Sequence, residues 1–233
     1  MIIPRKPSDA QYVKALIHGP AGSGKTRFCG TAQLDERTYP TAFLNFESGD
    51  QTLSGLDIDV FDIVDFSTYD EVYKMLSDPK TKYKSACIDS LTETQVVGLL
   101  NILDLDKKRA DPDLLAMQDW GLILTRMRRF VRQFKFLPLH TFFTALSKDE
   151  VVARVGNVKS PALQGAFATE MPGIMDIVAY MAQEEQDGVV KRLLLLHSYP
   201  RFSVKCRAPW DAEVPAEIYD PTVSLLLDAL NIR

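Results

Sequence analysis

Eight consecutive residues constrain this chain more than any other feature. Gly19-Pro20-Ala21-Gly22-Ser23-Gly24-Lys25-Thr26 matches the pattern G-x-x-x-x-G-K-[ST] at every position. An apolar segment of strand character, Tyr12–His18, precedes the octet, and a helical pattern, Lys25–Leu34, follows it. Gly22 and Gly24 let the backbone curl around a phosphate and present N–H groups to it at the start of a helix. Lys25 then sets its ammonium on the β- and γ-phosphates, and the Thr26 hydroxyl completes a Mg²⁺ shell. Gly19 to Thr26, with Arg27 behind them, are therefore the expected nucleotide contacts. A glycine-rich turn that only resembles the motif would not need all eight positions in that setting.

The rest of the chain alternates in the way such a loop requires. Thr41–Phe46, Val60–Val64, Lys84–Asp89 and Leu139–Leu146 read as strands. Tyr69–Leu76, Leu91–Leu103 and Leu114–Phe136 read as helices, the last carrying an apolar stripe of Leu122, Met127, Phe130, Val131 and Phe134. Beyond Leu146 the pattern becomes a run of strands: Val151–Val155, Asp176–Ala182, Val189–His197 and Phe202–Cys206, with a turn at Asp187-Gly188. A helix over 221–230 closes the chain. Alternation followed by consecutive strands predicts an α/β fold, a mainly parallel twisted sheet flanked by helices and extended by C-terminal antiparallel strands. With 233 residues and no linker or repeat, one domain is expected, with residues 1–11 as an N-terminal extension and 220–233 as the C-terminal helix.

Nucleotide chemistry needs a metal-organising acid and a group that activates water. Asp89 ends the apolar run Ser85-Ala86-Cys87-Ile88, where a carboxylate would hold Mg²⁺ through water. Capping of the following helix, with Ser90 as competitor, is the weaker alternative. Glu47 follows the strand Phe43–Phe46 at the end that opens onto a nucleotide crevice. Spacing alone leaves it nearly as open to an exposed turn carboxylate as to a general base.

Together these segments resemble the RecA-type recombinase ATPases, nearest to the compact phage-borne branch associated with single-strand annealing and recombination. The resemblance spans about Tyr12 to Ile218 and implies a RecA-like P-loop NTPase core that uses ATP and Mg²⁺. Phe43-Leu44-Asn45-Phe46-Glu47 is similar to the family's second core strand, whose terminal Glu is the catalytic base. Cys87-Ile88-Asp89-Ser90-Leu91-Thr92 is similar to its metal-binding strand. Ser203-Val204-Lys205-Cys206-Arg207-Ala208-Pro209 is similar to a late strand whose basic pair reaches the γ-phosphate of the adjacent subunit. Lys205 and Arg207, two apart in a strand, face one side and would act in trans. Solvated cations on an edge strand are the alternative. One departure stands out: the family's γ-phosphate sensor, Gln or His, falls near Leu146 here, which leaves Ser147 or Lys148 to link nucleotide state to DNA loops.

The resemblance implies single-stranded DNA, further copies of the chain and a single-strand DNA-binding protein as partners. The net charge of −4 excludes DNA binding by bulk positive charge, so contact must come from local cations. Two segments offer them: Asp104–Asp113, with Lys107, Lys108 and Arg109, and Lys148–Lys159, with Lys148, Arg154 and Lys159. Neither carries an aromatic residue for base stacking. Arg126, Arg128, Arg129, Arg132 and Lys135 spread around a helix and read mainly as its surface. The chain has no apolar run of membrane-spanning length, and its N-terminus lacks the apolar core of a signal peptide. Cys29, Cys87 and Cys206 are odd in number and far apart, which suits a reducing cytoplasm and small buried hydrophobes. The leading expectation is a DNA-stimulated ATPase with sites shared between subunits. A P-loop kinase of small molecules or nucleotides, and a nucleotide-gated loader with little hydrolysis, are the alternatives.

Overall fold

Residues 12–105, 114–209 and 211–232 are described by a computed structural model. The N-terminal extension and Lys107, Lys108 and Arg109 lie outside the described residues.

Three strands form the centre: β1 (Lys14–Gly19), β4 (Ser85–Asp89) and β5 (His140–Val152). β5 lies between the other two, and all three run parallel. β2 (Thr41–Asn45) and then β3 (Asp59–Asp62) continue the sheet beyond β4, also parallel. On the other side β7 (Ile177–Gln186) pairs parallel with β1, and β8 (Val189–Leu195) and β10 (Glu217–Tyr219) follow antiparallel. The order is β10-β8-β7-β1-β5-β4-β2-β3. β6 (Gly156–Pro161) pairs with β5, and the two-residue β9 (Lys205–Cys206) pairs with the start of β7.

Every residue of β1, β2 and β4 is buried, because parallel strands covered on both faces need apolar residues throughout. The strand period of two divides them between two layers. Leu16, Leu44, Ile88 and Phe143 meet α2 (Phe66–Ser77), α3 (Leu91–Leu105), α4 (Met117–Phe136) and α5 (Phe167–Ile174). Ile17, Phe43, Cys87 and Phe142 face the opposite way, onto Phe28 of α1 (Lys25–Gly30) and Leu226 and Leu227 of α6 (Val223–Ala229). Cys29 and Cys87 are buried in that second layer, and all three cysteines are free thiols. This is the RecA-like P-loop NTPase core that the sequence predicts.

Several local expectations need correction. The Lys148–Lys159 segment is not a loop: β5 continues to Val152 and returns as β6, a hairpin standing off the sheet. Val151–Val155 is the end of β5 and that hairpin's turn, not a strand of its own. On α4 the buried stripe is Ile123, Met127, Phe130, Val131 and Phe134, and Leu122 is exposed. Asp104 belongs to the last turn of α3 rather than to a loop. Residues 167–174 form α5, which its interior Pro172 disguised in the sequence.

The buried Lys14 ties β1 to the turn between α4 and β5. Its amine donates to the carbonyls of Leu137 and Leu139 and to Thr141 Oγ1. Desolvation, reinforced by Lys135 and opposed by Asp176, lowers its pKa to about 7. Between pH 7 and 10.5 the unfolded chain therefore binds a proton that the folded chain does not, so folding stability rises with pH. Chemical denaturation across pH 7.5 to 9 should show this slope, up to about 1.4 kcal/mol per pH unit, and Lys14→Met should flatten it.

Candidate active site

The end of β1 runs into the glycine loop without slack. A Cβ on Gly19 would lie 2.3 Å from the Met181 carbonyl oxygen of β7, so no side chain fits there. Gly22 and Gly24 take φ of +76° and +104°, the left-handed region that glycine reaches without strain. Gly24 then accepts the first backbone bond of α1, from Phe28 N at 2.9 Å. The curled loop of the sequence analysis is present, and Lys25 closes over it. Its amine donates to Pro20 O at 2.8 Å and Gly19 O at 3.1 Å. Burial lowers its pKa, while Asp89 and Glu47 act to raise it.

Asp89 sits two strands away from β1, at the end of β4, where the register brings it level with Ile17, two residues before Gly19. Thr26 Oγ1 donates to Asp89 Oδ2 at 2.6 Å, and the Thr144 hydroxyl donates to Asp89 Oδ1. Asp89 therefore faces the loop and does not cap α3. That task falls to Ser90, whose hydroxyl accepts Glu93 N at 3.4 Å.

Glu47 lies two residues beyond the end of β2, and between them Phe46 N donates to the Asp89 carbonyl at 2.8 Å, which holds the two strand ends together. Ser90 Oγ donates to Glu47 Oε1. Desolvation raises the Glu47 pKa above the usual carboxylate range; Asp89 and Glu93 add to the rise, and the Ser90 bond and Lys25 oppose it. A carboxylate of raised basicity beside Asp89 has the properties of a proton acceptor. Lys25 and Thr26 of α1, Asp89 of β4 and Glu47 beyond β2, from three separate segments, thus converge on one crevice.

Ser23 gives a direct test of whether this crevice suits a phosphate. Its hydroxyl is buried and has no partner among the described residues, as expected of a group awaiting a ligand oxygen. With the Lys25 ammonium and the Thr26–Asp89 pair, it makes a donor set that fits a Mg²⁺-bound nucleotide. Thr26 would ligate the metal, and Asp89 would hold it through water.

Other candidates lie elsewhere. Pro20 and Ala21 are exposed on the rim, and Arg27 is exposed on α1. Lys205 pairs with Val178, which is level with Leu16, three residues back along β1 from Gly19. Its amine donates to Met175 O, Pro172 O and Gly173 O at 2.7, 2.8 and 3.3 Å. Arg207 also donates to Gly173 O, at 3.2 Å, and lies 3.8 Å from Asp176. The two cations do share a side, and within the chain that side binds the C-terminal carbonyls of α5.

Lys148 donates to Leu163 O, and Lys159 pairs with Asp149; Arg154 is exposed at the hairpin turn. On α4, Arg128 pairs with Glu170, Lys135 donates to Ile174 O, and Arg126 lies over the Phe66 ring. Arg129 and Arg132 share that helix, which the cations fasten to its neighbours.

The sequence reading included Ser23 among the loop contacts and Ser90 as a helix cap, but gave Ser90 no part in holding Glu47 and Thr144 no part at Asp89. The β5 side chain that bonds Asp89 is Thr144, a buried hydroxyl in an otherwise apolar stretch, and that contrast was the available signal. Leu146 donates its backbone N–H to Thr92 Oγ1 at 3.0 Å and its carbonyl accepts from Ala162 N at 2.7 Å.

Residues 11–208 match a family described as AAA domain. Among solved structures, the chain is similar to a KaiC-like protein from the hyperthermophilic archaeon Pyrococcus horikoshii OT3, at 15% identity and a TM-score of 0.47, covering 78% of this chain and 77% of that one. It is also similar to the flagellar accessory protein FlaH from Methanocaldococcus jannaschii, at 10% identity and a TM-score of 0.45, covering 94% and 92%. No curated protein matches the chain in sequence.

Thr144→Val keeps the volume of the side chain and removes one of the two hydroxyls on Asp89. Mg²⁺ titration of nucleotide binding should show an affinity about 10- to 100-fold lower, the usual cost of losing a partner of a metal-organising group. An unchanged Mg²⁺ requirement would reduce Thr144 to a packing role.

Proposed function

The chain belongs to the AAA-domain family, and we propose that it hydrolyses ATP with Mg²⁺ and couples hydrolysis to single-stranded DNA. The observation that carries the catalytic half is the convergence of Thr26 and Asp89, 2.6 Å apart, with Glu47 beside them. On binding, Lys25 exchanges the Gly19 and Pro20 carbonyls for phosphate oxygens, and Ser23 gains its missing partner. Glu47 takes the proton of the attacking water while Ser90 fixes its orientation. Magnesium, when bound, would neutralise phosphate charge.

The DNA half is supported by a surface that neither basic segment revealed alone. The stretch between β8 and β9 folds beside the β5–β6 hairpin, with Lys159 N donating to Arg201 O and Ser203 N to Lys159 O, both at 2.8 Å. Between them lies a pocket of about 470 Å³ lined by Arg154, Val155, Tyr199, Pro200, Arg201 and Phe202. Two arginines, two aromatic rings and no acid in the lining suit a base and its phosphate. His18, the residue before the glycine loop, bonds Ser203 O through Nε2 at 2.8 Å, giving the pocket a physical link to the nucleotide site.

A role in recombination or annealing, in assemblies where Lys205 and Arg207 of one copy serve the ATP of the next, extends this reading. It would require both cations to leave the end of α5. Arg207 is the freer of the two, being exposed and bound more loosely.

Wild-type protein should hydrolyse ATP only with Mg²⁺, and faster with single-stranded DNA. Glu47→Gln should bind ATP normally and turn over about 10²- to 10⁴-fold more slowly. Tyr199→Ala with Arg201→Glu should abolish the DNA stimulation and leave basal turnover intact. Mixing Arg207→Ala with Lys25→Ala should restore activity if sites are shared between copies. Basal turnover that DNA does not alter would remove the DNA half, and absence of turnover would remove both.

A further inference from the structure

β7 and β8 outrun the strand that delivers the phosphate loop. The pairing of β1 with β7 ends at His18 and Tyr180, whereas β7 continues to Gln186 and turns back into β8. Residues 182–192 therefore stand beside the glycine loop as a two-stranded ribbon, and Gln183 and Arg192 are directly opposed on it. Both reach the loop. Gln183 Nε2 donates to Gly22 O at 3.0 Å. Arg192 lies against Gly24 so closely that a Cβ there would be 2.6 Å from Nε and 2.7 Å from Cδ.

Arg192 is also unusual in its chemistry. Its Nε is buried and has no hydrogen-bond partner among the described residues, nor does its side chain form an ion pair among them. Asp220 is near, but its carboxylate accepts the Arg192 backbone N–H at 3.3 Å, and Asp220 N donates to Arg192 O at 2.8 Å. These bonds fix the backbone of Arg192 and leave its guanidinium for something else. A buried guanidinium donor without a partner is costly, and such orphans in folded proteins call for an explanation.

We propose that Arg192 is a nucleotide-binding residue supplied in cis, its guanidinium contacting the phosphate chain held by the glycine loop, with Gln183 as the residue that positions the loop for it. A delocalised cation with five donors in a fixed fork matches phosphate oxygens, and a polyphosphate is the one strongly anionic ligand this loop is built to hold. Gly24 has a second reason to be glycine: any side chain would displace Arg192 as well as strain the loop. This assignment rests on the ATP-binding reading above.

The test is equilibrium binding of ATP, ADP and inorganic tripolyphosphate, each with Mg²⁺, to wild type, Arg192→Ala and Arg192→Lys, alongside thermal melting of each free protein. Arg192→Ala should weaken ATP and tripolyphosphate by a similar factor, about tenfold or more, the usual worth of a charge-assisted hydrogen bond. Arg192→Lys should recover part of the loss, and melting temperatures should stay close to wild type. Gln183→Ala should slow nucleotide association with a smaller loss of affinity. Unchanged binding by Arg192→Ala overturns the assignment, as does a loss for ATP with none for tripolyphosphate, which would move the contact to the nucleoside. Failure of wild type to bind ATP at all would instead strike the underlying reading, so the two failures are distinguishable.

Discussion

The parallel register of β1, β5 and β4 is the constraint on which the site depends. Leu16 and Ile88 are both level with Phe143, so Asp89 ends β4 level with Ile17, two residues short of Gly19, and the loop that leaves β1 there returns Thr26 to it. A one-residue slip in either pairing would reverse every side chain of the strand and carry Asp89 away from Thr26. The slip is opposed by complete burial of these strands, whose two faces feed separate layers. Packing energy in the sheet thereby becomes positional accuracy at the 2.6 Å contact between Thr26 and Asp89.

Several cations among the described residues are committed before any ligand arrives. Lys14, Lys135, Lys148 and Lys205 all donate to backbone carbonyls, and Arg128 and Lys159 hold acids. The net charge of −4 gives no general attraction for an anion. Two pairs of cations do stand together: Lys25 and Arg192 at the glycine loop, Arg154 and Arg201 at the aromatic pocket. His18 directly precedes the glycine loop, and its bond to Ser203 O ties it to the segment that lines the pocket. In the proposed function, local binding at these two places takes the part of a general electrostatic attraction.

Much of this was legible in the sequence because local rules and global fold agree. The glycine octet names its own loop, and the strands, apolar but for their ends, announce a sheet covered on both faces. Asp187-Gly188 gives its two-residue turn, both residues at positive φ. Asp89 and Glu47 were legible because strand ends in such sheets open onto the ligand crevice. What was not legible depends on contacts far apart in sequence. Thr144 meets Asp89 across 55 residues, Gln183 meets Gly22 across 161, and His18 meets Ser203 across 185. The aromatic pocket escaped for the same reason, since Tyr199 and Phe202 join Arg154 only after the hairpin folds back. Lys205 and Arg207 were placed on one side correctly, but spacing could not reveal that the end of α5 lies on that side.

The central claim is that Thr26 and Asp89 form a metal seat already assembled beside the glycine loop. Crystals grown with Mn²⁺ and a non-hydrolysable ATP analogue would report on it directly through the anomalous signal of manganese. The account predicts one manganese ion ligated by Thr26 Oγ1 and bridged by water to Asp89, with the Lys25 amine moved from the Pro20 carbonyl to phosphate. Nucleotide bound in the loop with the direct Thr26–Asp89 hydrogen bond intact and no manganese between them would contradict it.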